Sequence, residues 1–170
     1  LSAIRSFIAV TLLCVMAVFS VTAQTQQLTF TGTQLQFENM PVNENSGPQY
    51  ASVSGVIVAD LLGYSTAKGE AGNNTCYWSS DQTLRMYPKR TNGNGSSITF
   101  KALNGAKIKE IVLRRSSSDN TPIAYNVDGA ADVRINAGSG KLYTISGIEA
   151  DSVKIRHGQN TGGSGSNQKL

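Results

Sequence analysis

From Ser52 onward the chain is written in short segments whose apolar residues alternate with polar ones, separated by clusters of Gly, Asn, Asp and Ser. The three-and-four spacing of an amphipathic helix is missing from these segments. A period of two sends successive side chains to opposite faces of a strand, so the pattern predicts an all-β protein. In Ser152-Val153-Lys154-Ile155-Arg156-His157, Val153 and Ile155 share one face while Lys154 and Arg156 share the other. Val133 and Ile135 alternate with Asp132, Arg134 and Asn136 in the same way. Half-buried antiparallel strands have this signature.

The candidate strands are Leu28 to Phe30, Leu35 to Phe37, Ser52 to Val58, Cys76 to Trp78, Leu84 to Tyr87, Ile98 to Lys101, Lys107 to Arg114, Ile123 to Val127, Val133 to Asn136, Leu142 to Ser146 and Val153 to His157. Such spacing suits a sandwich or a barrel. Ile108 and Ile111 cannot share a face at strict period two, so a β-bulge near Lys109-Glu110 is expected. Asp128-Gly129 supplies turn chemistry for a hairpin between Ile123 to Val127 and Val133 to Asn136. Asn92 to Ser97 reads as a tight reversal, and Asn160 to Asn167 as a loop. Because Gln168-Lys169-Leu170 follows that loop as another strand would begin, the sequence given is expected to stop short of a closing strand.

Composition narrows the class. Gly contributes 17 of 170 residues and charged residues 15%, against an average charged share of about 25%. That argues against a coiled coil, a long helical bundle or a charge-rich disordered chain. A hydrophobic fraction of 39% is compatible with one packed core, and the length with one domain.

The first segment is expected to lie outside the fold. Arg5 precedes an apolar run from Phe7 to Phe19, and Ser20-Val21-Thr22-Ala23 presents small residues where a signal peptidase cuts. The run is too short to span a bilayer, which needs about 20 residues in a helix. Cys14 lies within the run, and the Thr11-Leu12-Leu13 before it lacks the small residue of a lipoprotein signal. The reading is a signal peptide over residues 1–23, a single domain over residues 24–170, a secreted or cell-surface location and no transmembrane anchor. Only Cys76 remains after cleavage, so stability must come from a core, and Cys76 is expected to be a small buried residue within it.

Catalytic chemistry lacks its parts. The single His157 falls on the core phase of its strand, 81 positions from Cys76, with no motif around either residue. Asp119, Asp128 and Asp151 sit in separate turn-like segments, where capping explains them. One Cys and one His are too few for a zinc site. No cofactor is expected. Structural calcium stays open, since it takes scattered carboxylates and carbonyls at no fixed spacing.

Binding fits the residues better. Lys and Arg number 15 against 11 Asp and Glu, a net charge of +4. Arg114, Arg134, Lys154 and Arg156, with Lys107 and Arg115 nearby, are candidates for one basic face. Such a face would attract an anionic polysaccharide, lipopolysaccharide phosphate or extracellular nucleic acid through charge alone, with no specific nucleic-acid motif. Its plainer reading is a solvated sheet surface. Tyr77, Trp78 and Tyr87, with Arg85, are candidates for an aromatic platform that stacks on sugar rings; the plainer reading puts Trp78 and one Tyr in the core.

The run Cys76-Tyr77-Trp78-Ser79-Ser80-Asp81-Gln82-Thr83-Leu84-Arg85-Met86-Tyr87, then Ser97-Ile98-Thr99-Phe100 and Ile108-Lys109-Glu110-Ile111-Val112-Leu113, resembles a group of secreted bacterial β-sandwich modules. Their pattern is an aromatic, a short polar loop, Leu-Arg-apolar-Tyr, a turn, a strand and an Ile-Lys-x-Ile strand. The resemblance implies a jelly-roll, carbohydrate-binding-like accessory module, found alone or attached to extracellular nucleases, surface proteins and polysaccharide-handling enzymes. It also implies a closing strand with an Arg-Ile-x-x-Ile pattern, which this sequence does not contain. The expected function is non-catalytic recognition of a glycan or another surface polymer. Alternatives are a structural or adhesion role in surface assembly, or service as the accessory module of an extracellular nuclease or polysaccharide-degrading enzyme.

Overall fold

The computed structural model describes residues 37–40, 52–70, 75–78, 83–88, 95–115, 121–158 and 168–170. The expected export segment and the candidate strand Leu28 to Phe30 lie outside these residues, as does all of Leu35 to Phe37 except Phe37. Eleven strands are described: β1 (Ser54–Val58), β2 (Leu62–Ala67), β3 (Tyr77–Trp78), β4 (Leu84–Met86), β5 (Ser97–Ala102), β6 (Ile111–Arg114), β7 (Ile123–Val127), β8 (Val133–Ile135), β9 (Leu142–Ile145), β10 (Ser152–His157) and β11 (Gln168–Lys169). Among the described residues the other regular element is a 3-10 turn at Ser139–Lys141. The described residues are all-β, and every strand pairing among them is antiparallel.

The strands form a six-stranded sheet in the order β1-β2-β5-β10-β7-β8, a three-stranded sheet β11-β4-β3 and a two-stranded sheet β6-β9. Their inward rows meet in one core. Tyr64, Ile98, Ile123, Val153 and Ile155 come from the large sheet, Leu84 and Met86 from the three-stranded one, and Tyr143 and Ile145 from the two-stranded one. The molecule is therefore an antiparallel β-sandwich whose two smaller sheets cover one face of the large one. Val153, Ile155 and His157 are fully buried, while Lys154 and Arg156 between them are not, as the alternation predicts. Burying a residue such as Ile155 contributes about 1.5–3 kcal/mol of transfer free energy.

The long-range pairings are nested. β7 pairs with β8, β6 with β9, β5 with β10 and β4 with β11. At the centre of the nest, Asp128 and Gly129 take φ values of 49° and 78°, and Ala130 N–H donates to Val127 C=O at 2.9 Å, closing the hairpin predicted there. Gly accepts positive φ without the Cβ clash that restricts other residues.

Two sequence expectations change in detail. The ladder does break at Lys109-Glu110, between the Ile108–Ala150 bridge and the Ile111–Ile145 pair. The extra length lies on the partner strand, where residues 146–149 oppose only those two and Gly147 turns at φ 69°. The offset lets both Ile108 and Ile111 reach the core. Val133 keeps the inward phase predicted for it, but edge strand β8 leaves it 46% exposed.

Candidate functional site

The outer face of the six-stranded sheet gathers side chains that local sequence cannot place together. Strand register sets Asn126, Lys154, Thr99, Ser65 and Ser54 side by side across β7, β10, β5, β2 and β1. One row away, Ser152, Lys101, Gly63 and Val56 align across β10, β5, β2 and β1. On the other side run Arg134, Ala124, Arg156, Ser97 and Ala67. Adjacent strands lie about 4.8 Å apart and successive rows about 6.6 Å apart. The rows through Lys154 and Lys101 make a polar surface rich in hydroxyls, with Lys101 exposed and Lys154 half-buried, whereas in the third row Ala124 and Ser97 are buried at 2% and Arg134 is exposed at the sheet edge.

Arg156 is anchored within this surface. Its Nε and Nη2 both lie 2.6 Å from Asp132 Oδ2, and Asn126 Nδ2 donates to Asp132 Oδ1 at 2.8 Å. Burial works against a charged Asp132, but the hydrogen bonds from Asn126 and Arg156 outweigh it and hold the carboxyl below its usual range. At the far end of the sheet Asp128 accepts from the Ser152 N–H at 2.7 Å, from the Asp151 N–H at 3.3 Å and from the Ser152 hydroxyl at 3.3 Å. The backbone bond from Ser152 leads the lowering of its pKa. Asp151 in turn takes Lys107 Nζ at 2.6 Å, and that contact raises the lysine pKa. Two of the acids read as turn caps thus meet, with Asp128 capping the 151–152 turn and Asp151 engaged by Lys107. Asp119 lies outside the described residues.

The single basic face expected from the sequence is divided. Arg134, Lys154 and Arg156 share the outer face of the large sheet. Arg114 projects from β6, on the outside of the opposing layer, and is exposed there. Arg115 is buried at 8% exposure. Alternation within a strand is visible in sequence, but the sheet to which a strand belongs is set by long-range pairing. For the same reason Lys101 was missed: nothing local to Thr99-Phe100-Lys101 shows that β5 lies beside β10.

The aromatic platform is corrected. Tyr77 is 0% and Tyr87 5% exposed. Their rings stack at 6.1 Å between centroids, and their hydroxyls lie 3.0 Å apart. Arg85 donates through Nη1 to the Tyr77 hydroxyl at 2.9 Å, with its guanidinium 5.8 Å from that ring centroid. Arg85, Tyr77 and Tyr87 therefore form a closed cluster on the outer side of β3 and β4. Trp78 faces the other way, packing on the core with its ring 6.2 Å from that of Phe37. Buried rings cannot stack on a sugar, so the four residues do not make an aromatic platform.

His157 is buried at the end of the inner row shared with Ile123 and Ile135. Cys76 is fully buried, its thiol 3.9 Å from the Ser96 hydroxyl, and burial pushes the thiol pKa up to about 12. Among the described residues no group of three or more His, Cys, Asp and Glu is placed to hold a metal ion. No described helix is long and apolar enough to cross a membrane. The geometry defines the chain's class as an antiparallel β-sandwich with a polar, cationic outer sheet face. Compared with protein-family models, curated proteins and solved structures, the chain matches none.

Proposed function

We propose that the protein is a non-catalytic extracellular binding module, exported by a signal peptide over residues 1–23 and wound as a jelly roll, that recognises an acidic glycan. The observation that carries this reading is the half-buried row Asn126-Lys154-Thr99-Ser65, flanked by the exposed Lys101 and Arg134 on the same outer sheet face. Hydroxyl and amide groups exchange hydrogen bonds with sugar hydroxyls, and the ammonium groups attract carboxylates along the polymer. The nested strand pairing and the likeness to secreted β-sandwich modules support the same reading.

Affinity electrophoresis through gels containing polygalacturonate, with neutral dextran as control, tests it. The protein is expected to be retarded by polygalacturonate and not by dextran, less so as salt rises. Replacing Lys101 and Lys154 together by Ala weakens retention about tenfold or more, at roughly 1 kcal/mol per exposed ion contact. Retention that ignores both salt and the double substitution overturns the proposal.

A further inference from the structure

The hydrogen-bond phase of β9 fixes which of its backbone groups the two-stranded sheet uses. Arg115 N–H donates to Lys141 C=O at 2.9 Å, and the register continues as Leu113 against Tyr143 and Ile111 against Ile145. Bonded and non-bonded pairs alternate in an antiparallel ladder, so Tyr143 and Ile145 bond to β6 while Leu142 and Thr144 direct N–H and C=O to the other side. Leu142 C=O fits this phase, accepting there from Gly138 N–H at 2.7 Å. Thr144 and Ser146 are exposed, and no described residue hydrogen-bonds to Thr144 N–H or C=O.

The side chains along this edge are unusual for an exposed strand. Natural edges are commonly blunted by charge. β8, at the edge of the large sheet, has Arg134 at its centre and Asp132 just before it. β9 (Leu-Tyr-Thr-Ile) carries no charge, and Val112, beside Thr144 on β6, is 48% exposed. Its charges stand just outside the strand: Lys141 precedes it and Glu149 follows it, both exposed. Neither is within ion-pair distance of an opposite charge among the described residues.

We propose that the edge of β9 pairs with the same edge of a second copy of this chain, antiparallel about Thr144. On the twofold axis, Thr144 N–H of each copy donates to Thr144 C=O of the other, and Ser146 of each lies opposite Leu142 of the other. The outer row then runs Val112, Thr144, Thr144, Val112 across the two molecules, a threonine pair bracketed by apolar side chains. Antiparallel pairing reverses the order of the flanking charges, so Lys141 of each copy comes to the end where Glu149 of the other lies. This charge complementarity selects a second copy as the occupant; β8 paired in the same way would set Arg134 against Arg134. A strand of four residues buries less than the roughly 1,200 Å² of a stable interface, so the pairing is weak and takes effect where many copies are held close together.

Sedimentation equilibrium and amide hydrogen exchange on the full chain, from about 10 μM to about 1 mM, test the pairing. Dimer is expected to accumulate across that range, with exchange at Thr144 and Ser146 slowed by about tenfold at the upper end. Thr144→Pro removes a donor that β6 does not use and should abolish both effects, while unchanged exchange in the buried strand β10 shows that the fold is kept. Lys141→Glu should weaken association about fivefold, and adding Glu149→Lys to it should restore the affinity, a rescue that lost folding would not produce. A monomer at every concentration overturns the proposal, as does association that survives Thr144→Pro or a charge exchange that restores nothing. Protection of Thr144 that appears only when a separate strand-forming peptide is added assigns the edge to another chain and overturns the second copy as its occupant.

Discussion

Tyr64 on β2 donates its phenolic hydrogen to the backbone carbonyl of Glu38, fastening residues 37–40 to the six-stranded sheet. Two further bonds complete the attachment: Glu38 N–H donates to Val56 C=O, and Val56 N–H to Glu38 Oε2, each at 3.1 Å. Burial, with the Glu38 carboxylate adding to it, raises the Tyr64 pKa to about 12. A folded-state pKa above the unfolded value of about 10 means that the stabilisation is complete below pH 10 and lost as pH rises through 12. Alkaline titration of thermal stability should show this loss, and Tyr64→Phe should remove that part of the pH dependence. The same substitution removes that hydrogen bond from the exposed Glu38 and is expected to cost about 0.5–1.5 kcal/mol at neutral pH. Identical alkaline profiles for both proteins would refute the assignment.

Gly158 is a packing requirement. A Cβ there would collide with the Pro122 carbonyl oxygen and lie 2.7 Å from the Ile123 carbonyl carbon, and the Gly158 N–H already donates to that oxygen at 2.9 Å. Gly158→Ala is expected to destabilise the fold by about 1–3 kcal/mol. Gly138, whose nearest neighbour would be 3.7 Å from an added Cβ, should accept Ala with little change. Urea denaturation of the two variants checks the contrast; equal stabilities would contradict it.

The Cys76 thiol should be silent in the native protein. With a pKa of about 12, roughly one thiol in 10,000 is ionised at pH 8, and it is fully buried. In a Cys14→Ser background, a maleimide should fail to label the folded protein and should label it once denatured. Stoichiometric labelling of the native state would show that the site opens.

Asp132 and Arg156 should make the fold acid-sensitive. The folded-state pKa of Asp132 is depressed, so its contribution is present above the unfolded value of about 3.9 and lost as pH falls through the folded value. Asp132→Asn should flatten stability across that acidic window. A double-mutant cycle with Arg156→Ala is expected to give a coupling of about 1 kcal/mol. A coupling near zero would leave the pair without a stabilising role.

Much of the architecture was legible because burial imposes a period of two. Val153, Ile155 and His157 against Lys154 and Arg156 could be assigned to faces from sequence alone, and Asp128-Gly129 announced its turn. β2 was not legible. Leu62-Gly63-Tyr64-Ser65-Thr66-Ala67 has few β-branched or aromatic residues, and Thr66 occupies an inward position because its hydroxyl accepts from Val53 N–H at 3.1 Å. That strand is held by its neighbours β1 and β5 more than by its own composition. The candidate site was harder still. Tyr77 and Tyr87 offered the strongest local signal for a ligand and proved to be packed away, whereas Lys101 and Lys154 meet only through a pairing between strands some fifty residues apart.

The concentric pairing dictates an order of assembly. Residues 128–132 close the innermost pair locally, and each pair outside it must bring together more distant strands, ending with Met86 against Gln168. Closing an outer pair first would confine a long stretch of chain for few contacts, whereas zippering outward from the hairpin adds a short closure at each step. Such a chain is expected to fold slowly, over milliseconds to seconds, and to seal its outermost rungs last. Substitutions in the 128–129 turn should therefore slow refolding, and those at the rim should chiefly speed unfolding.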